Sequence, residues 1–528
     1  MENKKTKIIS IGAVVALALT VITATYAYFN AQVGDPAVAD IKVNANTVDT
    51  FTFSNGSAIS FSINQDNFAS GKGNQTGSTY ASATLTANNK TNTATEHYYM
   101  YLNIENNTFT YSINTNTPEI IMTVKNSVGN EVTDISTLNH VIVTGANGTQ
   151  VSGYDITNKS GLITLFDNRE ITTTSSKEEK WNITITFVNY DENQNANAGK
   201  SMSAKVMIQK EVIPQVVSDV CSNGTNLATC ITTLANKSIP SATNIYHHDS
   251  SLSNGAGDNS YRYAGASDVV NNFVCFGSNE STCPTDNLYR IIGVFGNNVK
   301  LIKYDYGTTD ELGTDGDYNQ TYKEWGMDST YKGTYGDGER IGVYYWNNTT
   351  QTNTWSESLL NKTNLNTNFI NNIGEEWANK IATTTWKVGG NTYSNIYSKT
   401  PSVVYQNEIV NPVTTNTTDN ATEYTAKIGL MYVSDYGFAA EPSAWTLTIG
   451  NYNNTTATST NWMYMGLYEW TLSRNADRSD DAFIVFGDGN VFGHYVGNDV
   501  AVRPSFSLLS SVTYSKGDGT QNSPIRIN

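Results

Sequence analysis

The 528-residue sequence predicts a mainly β fold, with an N-terminal antiparallel β-sandwich followed by a C-terminal α+β domain. Three observations support this prediction. Polar and apolar residues alternate in many short runs of the first half, which is the pattern of half-buried strands. Eight of the nine tryptophans lie between Trp325 and Trp470, so the second half has a different composition. The chain is also too long for one ordinary hydrophobic core, so more than one domain is expected.

Residues 1–27 are predicted to be a signal peptide. Three lysines within the first seven residues precede a weakly polar or apolar run from Ile8 to Ala27, which is the order of a secretory signal. A retained membrane anchor is the alternative, because the run approaches the roughly 20 residues that span a bilayer. The small residues Thr25 and Ala27 favour cleavage after Ala27. In either case the bulk of the chain is predicted to be secreted or displayed on the extracellular cell surface.

Residues 28–212 are predicted to form the β-sandwich, which would serve assembly or spacing. Four segments alternate clearly and are separated by turn residues: residues 51–63, 98–104, 119–124 and 181–190. No helical period of any length accompanies them. Short strands at this spacing favour two packed sheets, each with one polar face.

Residues 213–254 are predicted to be a linker that contains a short helix and one disulfide. Apolar residues follow helical spacing from Asn226 to Ser238, and Pro240 ends the pattern, as prolines commonly do after a helix. This segment is expected to connect two exported modules and to contribute little to function.

The four cysteines are predicted to form two disulfides. Cys221 and Cys230 are nine residues apart, and Cys275 and Cys283 are eight apart. Short local pairs in an exported chain are typical of disulfides, because the extracellular space is oxidising. Zinc is the alternative, but neither pair has the Cys-x2-Cys spacing of common zinc sites.

Residues 255–528 are predicted to form the α+β domain. Strands are predicted at Leu288–Phe295 and Val299–Asp305, joined by a Gly-Asn-Asn turn of the kind found in hairpins. Helical periodicity follows Trp355, and the chain then ends in several short strands. A hairpin, one or two helices and a long irregular stretch with short strands together describe an α+β fold.

The net charge of −16 argues against a nucleic-acid partner, since phosphate binding needs Lys and Arg. An acidic exported protein can bind calcium, but no motif supports a calcium site. Asp315, Asp317 and Asn319 resemble the start of an EF-hand loop, yet Gln320 replaces the required glycine and no glutamate stands at the twelfth position. No cofactor and no metal site are therefore predicted.

Catalytic motifs are absent from the sequence. None of the five histidines lies in His-Glu-x-x-His, and no Gly-x-Ser-x-Gly elbow, P-loop or Rossmann glycine pattern occurs. Glu375 and Glu376 are adjacent on a predicted helix, so they point to different faces and make a poor acid–base pair. We predict no enzyme activity. A monomeric secreted carbohydrate-active or other extracellular enzyme is the alternative, because glycosidase carboxylates can come from distant positions.

The segment TYAYFN, residues 25–30, followed by a Thr- and Asn-rich β region resembles the TasA and camelysin group of exported bacterial proteins. This resemblance covers residues 1–212. It implies biofilm fibres on the cell surface, in which the freed N-terminal segment adds as a strand to a neighbouring subunit. The assembly residues would be Tyr28, Phe29, Ala31 and Val33. A flexible tail is the alternative for this segment.

The C-terminal region resembles an uncharacterised domain of exported Firmicutes and Mollicutes proteins. The matching elements are CFGS, CPTDNLYRIIGVF, KIGLMYVSDYG, WTLS and VRPSFSL. More distantly, WTLS, GDGNV and VRP resemble the end of the C-type-lectin-like fold, which formylglycine-generating enzymes share. The oxidase chemistry of those enzymes needs cysteine thiols and is not expected, because the last cysteine here is Cys283. Calcium-dependent sugar binding is unsupported, because Glu441-Pro442-Ser443 is not followed by a Trp-Asn-Asp triplet.

Polar residues between Trp470 and Pro504 are predicted to form the ligand-binding site. Recognition usually resides in loops on a rigid β scaffold, and neighbouring aromatic rings could stack on sugars or anchor a protein partner. The predicted ligand-binding residues are Trp462, Trp470, Arg474, Asn475, Asp477, Arg478, Asp481, Asn490, His494 and Asn498. Trp462 and Trp470 could instead belong to the core, and Arg503 could be a structural ion-pair partner.

Together these features predict a secreted or surface-displayed bacterial structural or adhesion protein. Its C-terminal domain would bind a glycan or protein ligand on a host or community surface. The chain would also self-associate or contact neighbouring surface proteins. A fibre subunit would depend on residues 28–33, whereas an adhesin would depend on the domain that begins at Gly255.

Overall fold

The computed structural model of the protein describes residues 49–64, 72–88, 92–325, 331–333, 335, 338–412, 421–453 and 458–528. The chain divides into two compact units after Ile213. The predicted signal peptide and the predicted assembly residues Tyr28, Phe29, Ala31 and Val33 lie outside the described residues. Within the described ranges, no helix is long and apolar enough to cross a membrane.

The described part of the first unit is built from strands and short 3₁₀ turns. Its strands are β1 (Thr50–Asn55), β2 (Ile59–Ser62), β3 (Gln75–Thr86), β4 (Ala94–Asn107), β5 (Ile120–Asn126), β6 (His140–Thr144), β7 (Gln150–Asp155), β8 (Gly161–Thr173), β9 (Ser176–Phe187) and β10 (Ser201–Gln209). They form a six-stranded sheet in the order β1-β3-β9-β5-β7-β6 and a four-stranded sheet in the order β2-β10-β4-β8. All of these neighbours are antiparallel. The mainly β fold predicted from the alternating pattern is confirmed.

One hydrophobic core lies between the two sheets, so the first unit is a β-sandwich. Leu85 of β3 and Ala204 and Val206 of β10 belong to the same buried cluster. Thr84, the neighbour of Leu85 on β3, and Lys205, between the two β10 residues, are partly exposed. Because successive side chains point to opposite faces of a strand, the alternation in the sequence directly gives one buried and one solvated face.

Trp181, the one tryptophan of the first unit, lies in a polar cluster within this core. Its Nε1 donates to the Tyr98 hydroxyl at 2.9 Å, and that hydroxyl donates to Glu179 at 2.7 Å. The Arg169 Cζ lies 4.6 Å from the centre of the Trp181 ring, and its Nε also donates to Glu179. Burial, with the Glu179 contact, raises the pKa of Tyr98, so the hydroxyl keeps its proton and both hydrogen bonds.

A buried carboxylate fixes the Asn-rich loop that precedes β10. Glu119 is completely buried and accepts hydrogen bonds from Gln194 Nε2 and Asn197 Nδ2, both at 2.8 Å. The backbone N–H and the hydroxyl of Ser112 donate to the same carboxylate at 2.6 and 2.7 Å. Two distant parts of the chain, residues 112–119 and 194–197, therefore meet at one carboxylate whose hydrogen-bonding capacity is used, as a buried polar group requires.

The second unit combines many short strands with short helices. Its strands are β11 (Ile245–His248), β12 (Ser260–Tyr263), β13 (Phe273–Cys275), β14 (Leu288–Phe295), β15 (Asn298–Lys303), β16 (Tyr318–Thr321), β17 (Gly342–Tyr345), β18 (Thr384–Lys387), β19 (Gly390–Asn391), β20 (Glu423–Ala426), β21 (Ile428–Gly429), β22 (Glu469–Asn475), β23 (Asp481–Val485), β24 (Val491–Tyr495), β25 (Asp499–Ala501), β26 (Ser505–Ser507), β27 (Tyr514–Lys516) and β28 (Arg526–Ile527). Its α-helices are α1 (Leu227–Lys237), α2 (Pro240–Thr243), α3 (Thr309–Leu312), α4 (Tyr322–Trp325), α5 (Ile370–Asn372), α6 (Glu375–Ala378), α7 (Tyr393–Ser398), α8 (Pro401–Tyr405) and α9 (Val433–Ala439).

Two seven-stranded sheets dominate the second unit. One has the order β11-β12-β14-β15-β26-β21 with β13 beside β14, and the other has the order β16-β17-β25-β22-β23-β24 with β19 beside β22. Two further pairs, β18–β20 and β27–β28, are separate. The predicted hairpin is present as β14 and β15, which pair antiparallel.

The segment predicted to be a linker, residues 213–254, contributes to the core of the second unit. Helix α1 begins after Asn226, whose side chain accepts the backbone N–H of Thr229 at 3.0 Å. Leu227 and Ile231 on this helix belong to the large buried cluster of the unit. The helix is therefore part of the second fold rather than a connector outside it.

Both predicted disulfides, Cys221–Cys230 and Cys275–Cys283, are present, and the described chain has no free cysteine. The first joins α1 to the chain that precedes it, and the second closes the loop that follows β13. Each stabilises the second unit by restricting its unfolded chain.

The helical period after Trp355 corresponds to a π-helix, Leu360–Phe369, that continues into α5. Asparagine side chains surround it with hydrogen bonds: Asn364 Nδ2 donates to the carbonyl of Leu312 at 2.8 Å, and Asn366 Nδ2 donates to that of Asn361 at 3.0 Å. The apolar spacing predicts a helix here but does not reveal its wider turn. One of these contacts is local, from Asn366 to Asn361, and the other joins the helix to Leu312, 52 residues earlier.

Candidate functional site

Three neighbouring strands of the second unit, β22, β23 and β24, hold most of the predicted ligand-binding residues or the loops beside them. β22 pairs with β23, and β24 pairs with β23 at the edge of the sheet. The structure therefore brings residues 474–498 together in one part of the second unit. Their side chains differ strongly in exposure, and this difference decides which of them can meet a ligand.

The two predicted tryptophans belong to the core. Trp462 and Trp470 are 1% and 0% exposed. The Trp462 Nε1 donates to the carbonyl of Tyr263 and the Trp470 Nε1 to that of Tyr344, both at 2.8 Å. Arg290 covers the Trp462 ring, with its Cζ 4.8 Å from the ring centre. Neither indole presents a surface to a ligand, so the structure favours the alternative assignment of both residues to the core.

Arg474, Asn475 and Asp481 are also buried. The Arg474 Nε and Nη2 have no hydrogen-bond partner within the described chain, and burial lowers the pKa of this guanidinium to about 10. Asn475 accepts the N–H of Asp477 at 2.9 Å, and burial raises the pKa of Asp481. These three side chains therefore lie inside the fold, at the end of β22 and the start of β23.

Asp477 and Arg478 are exposed in the loop between β22 and β23. Asp477 accepts the backbone N–H of Tyr393 at 2.9 Å. Arg478 pairs with Asp480 at 3.2 Å. Exposed ion pairs contribute little to stability, so the charges of this loop can exchange their partners for a ligand.

Asn490, His494 and Asn498 lie on or beside β24. The His494 Nε2 lies 3.2 Å from Asn498 Nδ2, so in the neutral ring this nitrogen is the acceptor. Burial lowers the pKa of His494, and its ring packs 5.7 Å from that of Trp470. Asn490 is partly exposed, with its Oδ1 accepting the N–H of Val491 at 2.7 Å.

An exposed pair of tyrosines beside β24 is absent from the sequence-based prediction. Tyr393 and Tyr397 lie on α7 and are 40% and 47% exposed. Their rings are parallel to within 3°, with centres 6.3 Å apart. Phe492 of β24 meets both rings edge-on, at 5.4 and 5.7 Å. The available sequence signal is the spacing of four, which places two side chains on one face of a helix.

The start of α7 is fixed to the predicted site. β19, just before the helix, pairs parallel with β22 through Gly390 and Arg474. The Tyr393 N–H is held by Asp477, and Gly493 of β24 lies in van der Waals range of the Tyr393 ring. The tyrosine pair and the charged loop between β22 and β23 are therefore adjacent.

The arrangement suits recognition through stacking and hydrogen bonding. Across the ranges that the structure describes, no group of three or more His, Cys, Asp or Glu side chains is placed to hold a metal ion. Burial raises the pKa of Glu408 to about 7, a value typical of a general acid. Glu408 is nevertheless completely buried and accepts hydrogen bonds from the Ser434 N–H and the Ser473 hydroxyl, so it does not face a substrate.

No protein-family model matches the chain, and a search of curated proteins found no match. The resemblances to the TasA and camelysin group and to the C-type-lectin-like fold stay predictions. The function proposed for this protein accordingly rests on its own residues and their geometry.

Proposed function

We propose that this protein is a secreted or surface-displayed bacterial structural and adhesion protein. Its second unit binds extracellular ligands, and its N-terminal segment joins neighbouring copies. The ligand-binding part rests on one observation: Tyr393 and Tyr397 present parallel, half-exposed rings beside the charged loop of Asp477 and Arg478. Exposed aromatic side chains on a rigid scaffold are typical of recognition surfaces.

Export is supported by two independent features. The first 27 residues have the order of a secretory signal, with lysines before an apolar run. The second unit has two disulfides, which persist in the oxidising environment outside the cytoplasm. A ligand on a host or community surface would be accessible to a protein in that location.

An edge strand of the first unit supports self-assembly. β6 is the last described strand at one edge of the six-stranded sheet, and its Ile142 is 66% exposed. Ile142, Thr123 and Ser152 line an open groove of about 600 Å³. Because an edge strand presents unpaired N–H and C=O groups, an extended segment such as Tyr28–Val33 would satisfy them and cover Ile142.

Light scattering and electron microscopy test assembly on the chain that begins at Tyr28, beside a version that lacks residues 28–44. Fibres or large particles from the first and monomers from the second are expected. Monomers from both would remove self-assembly from the proposal, and particles from both would remove the N-terminal segment from it.

Adhesion is tested with beads that carry the chain beginning at Tyr28, applied to immobilised mucin, to immobilised fibronectin and to whole cells of the producing bacterium. Retention on at least one surface above albumin-coated beads is expected. Equal retention of the protein-coated and albumin-coated beads on all three surfaces would contradict the proposed ligand binding by the second unit.

A further inference from the structure

We propose that Tyr393 and Tyr397 form a platform for a neutral hexose chain. This tyrosine platform rests on the proposed ligand-binding function and adds the chemical class of the ligand. Its defining geometry is two rings parallel to within 3°, both braced by Phe492.

The tyrosine platform is preorganised. Tyr393 and Tyr397 are held on one face of α7 by their spacing of four residues. Phe492 contacts both rings edge-on, a favourable geometry for aromatic pairs. The two tyrosine side chains are therefore ordered before a ligand binds, which removes a part of the usual entropic cost of binding.

A pyranose fits this surface chemically. The C–H groups on one face of a sugar ring carry partial positive charge, and the face of a tyrosine ring is negative. Ser394 and Ser398 are exposed on the same helix; the Ser398 hydroxyl donates to the Ser394 carbonyl, and its oxygen can also accept a hydrogen bond from a sugar hydroxyl. The Asp477 carboxylate at the start of α7 adds a strong acceptor for sugar hydroxyls.

The charge of the protein selects against an anionic polymer. The net charge is −16, and Asp477 lies directly at the platform. Lys399 is the one cation among residues 392–399, and Arg478 of the adjacent loop is paired with Asp480 and Asp481, whereas a polyanion is attracted by a cluster of cations. A neutral glycan avoids this repulsion.

The area of the platform also favours a small ligand over a protein. A stable protein interface buries about 800 Å² on each partner around an apolar core, far more than two rings provide. Val403 and Val410, 39% and 50% exposed, lie in the next helical segments, Pro401–Tyr405 and Gln406–Val410. They serve as exposed apolar controls outside the platform.

The test is calorimetric titration of the full chain from Tyr28 with maltohexaose, cellohexaose, laminarihexaose and mannohexaose. We expect at least one hexaose to bind, and Tyr393→Ser/Tyr397→Ser to weaken it by about tenfold or more. Tyr393→Phe/Tyr397→Phe keeps the stacking surface and should bind within about threefold of the original. Val403→Ser/Val410→Ser should bind equally well. Circular dichroism checks that each variant folds.

Two results would overturn the proposal: no binding of any hexaose by the original chain, or equal binding by the double serine variant. The bead assay separates this failure from that of the proposed function. Beads that still adhere, with adhesion unaffected by the tyrosine changes, would leave the adhesion function standing without the platform.

Discussion

The two units of this protein bury different kinds of side chain. In the described part of the first unit, no Lys or Arg side chain is buried. The described part of the second unit buries six of them: Arg262, Arg290, Lys300, Lys303, Arg474 and Arg503. The first core depends on the apolar faces of its strands, with Glu119 as its buried carboxylate. The described parts thus differ in the charges that they bury: the first core holds no cation, whereas the second holds six, of which four pair with carboxylates.

Four of these six cations form close pairs with carboxylates. Arg503 donates to Glu469 at 2.8 Å, and the Lys300 Nζ lies 2.5 Å from Asp435. Arg262 also approaches Asp435, at 3.6 Å. Removing an ion from water costs several kcal/mol, so such a pair is tolerated only while both partners are present. Changes of charge, pH and redox state should therefore act more strongly on the second unit than on the first.

Glu469→Ala is expected to have the largest effect. It leaves the Arg503 guanidinium, whose side chain is 1% exposed, without its carboxylate, and breaking a buried pair in this way costs about 3–5 kcal/mol. Urea unfolding followed by tryptophan fluorescence measures the loss, because eight of the nine tryptophans lie in the second unit. Hydrogen exchange of peptides from the first unit should not change.

The matched control for this prediction is Glu469→Leu/Arg503→Met, which removes both charges and keeps apolar volume. It should recover most of the lost free energy of unfolding. A loss below about 1 kcal/mol in Glu469→Ala would show that the arginine finds another partner, and would weaken the contrast between the units.

The next effect in size is a pH dependence of the free energy of unfolding that arises from Glu408. Burial raises its pKa from an ordinary 4.5 to about 7 in the folded protein. The folded state therefore binds this proton more tightly than the unfolded state does. The protonated carboxyl stabilises the folded state below about pH 4, and this stabilisation is lost as the pH rises to about 7. The expected loss is about 3 kcal/mol.

Glu408→Gln isolates this effect, because its amide does not titrate. Urea unfolding of both proteins at pH 4.5 and 7.5 should show the original losing stability relative to the variant as the pH rises. Burial lowers the pKa of His248 to about 2, which acts in the opposite direction but is common to both proteins and cancels. Parallel pH curves for the two proteins would contradict the prediction.

Cys221→Ser/Cys230→Ser is expected to destabilise the second unit by about 2–3 kcal/mol, the entropy of closing a short loop in the unfolded chain. The bridge spans nine residues at the start of α1. Hydrogen exchange should show faster exchange in peptides of the second unit and unchanged exchange in the β-sandwich. Equal acceleration in both units would mean that they unfold together, and the comparison between them would fail.

Tyr98→Phe should give the smallest of these effects and the only one in the first unit. It removes the acceptor of the Trp181 Nε1 and a donor to Glu179, so we expect a loss of about 1–2 kcal/mol. Faster hydrogen exchange in peptides from β4 and β9 would report this loss of stability. Tyr99→Phe is the control, because its hydroxyl makes one weak contact, at 3.4 Å to Asn168; an equal loss there would refute the assigned role of Tyr98.

Much of the first unit could be predicted from the sequence, because strand alternation alone decides which face is buried. The predicted segment 119–124 corresponds to β5 and 98–104 lies within β4. The placement of residues 213–254 could not be predicted in this way. The apolar face of α1 packs into a core formed by residues far along the chain. A local sequence pattern does not show which distant residues a helix will pack against.

The candidate site was harder to predict than the fold. Trp462 and Trp470 have the residue type of a binding surface, but a large ring packs equally well in a core, where the structure places both. Tyr393 and Tyr397 look ordinary in the sequence. Their exposure depends on how β24 and Phe492 meet α7, which is a tertiary contact between segments about 100 residues apart.

The carboxylate of Glu119 has a practical consequence for protein engineering. Surface display of a foreign peptide requires a loop that tolerates insertion, and the Asn-rich stretch around Gln194 and Asn197 looks suitable by composition. An insertion there would pull two donors away from Glu119 and leave a charge inside the sandwich. The turn at Val128, which is 78% exposed, offers a better position for cargo.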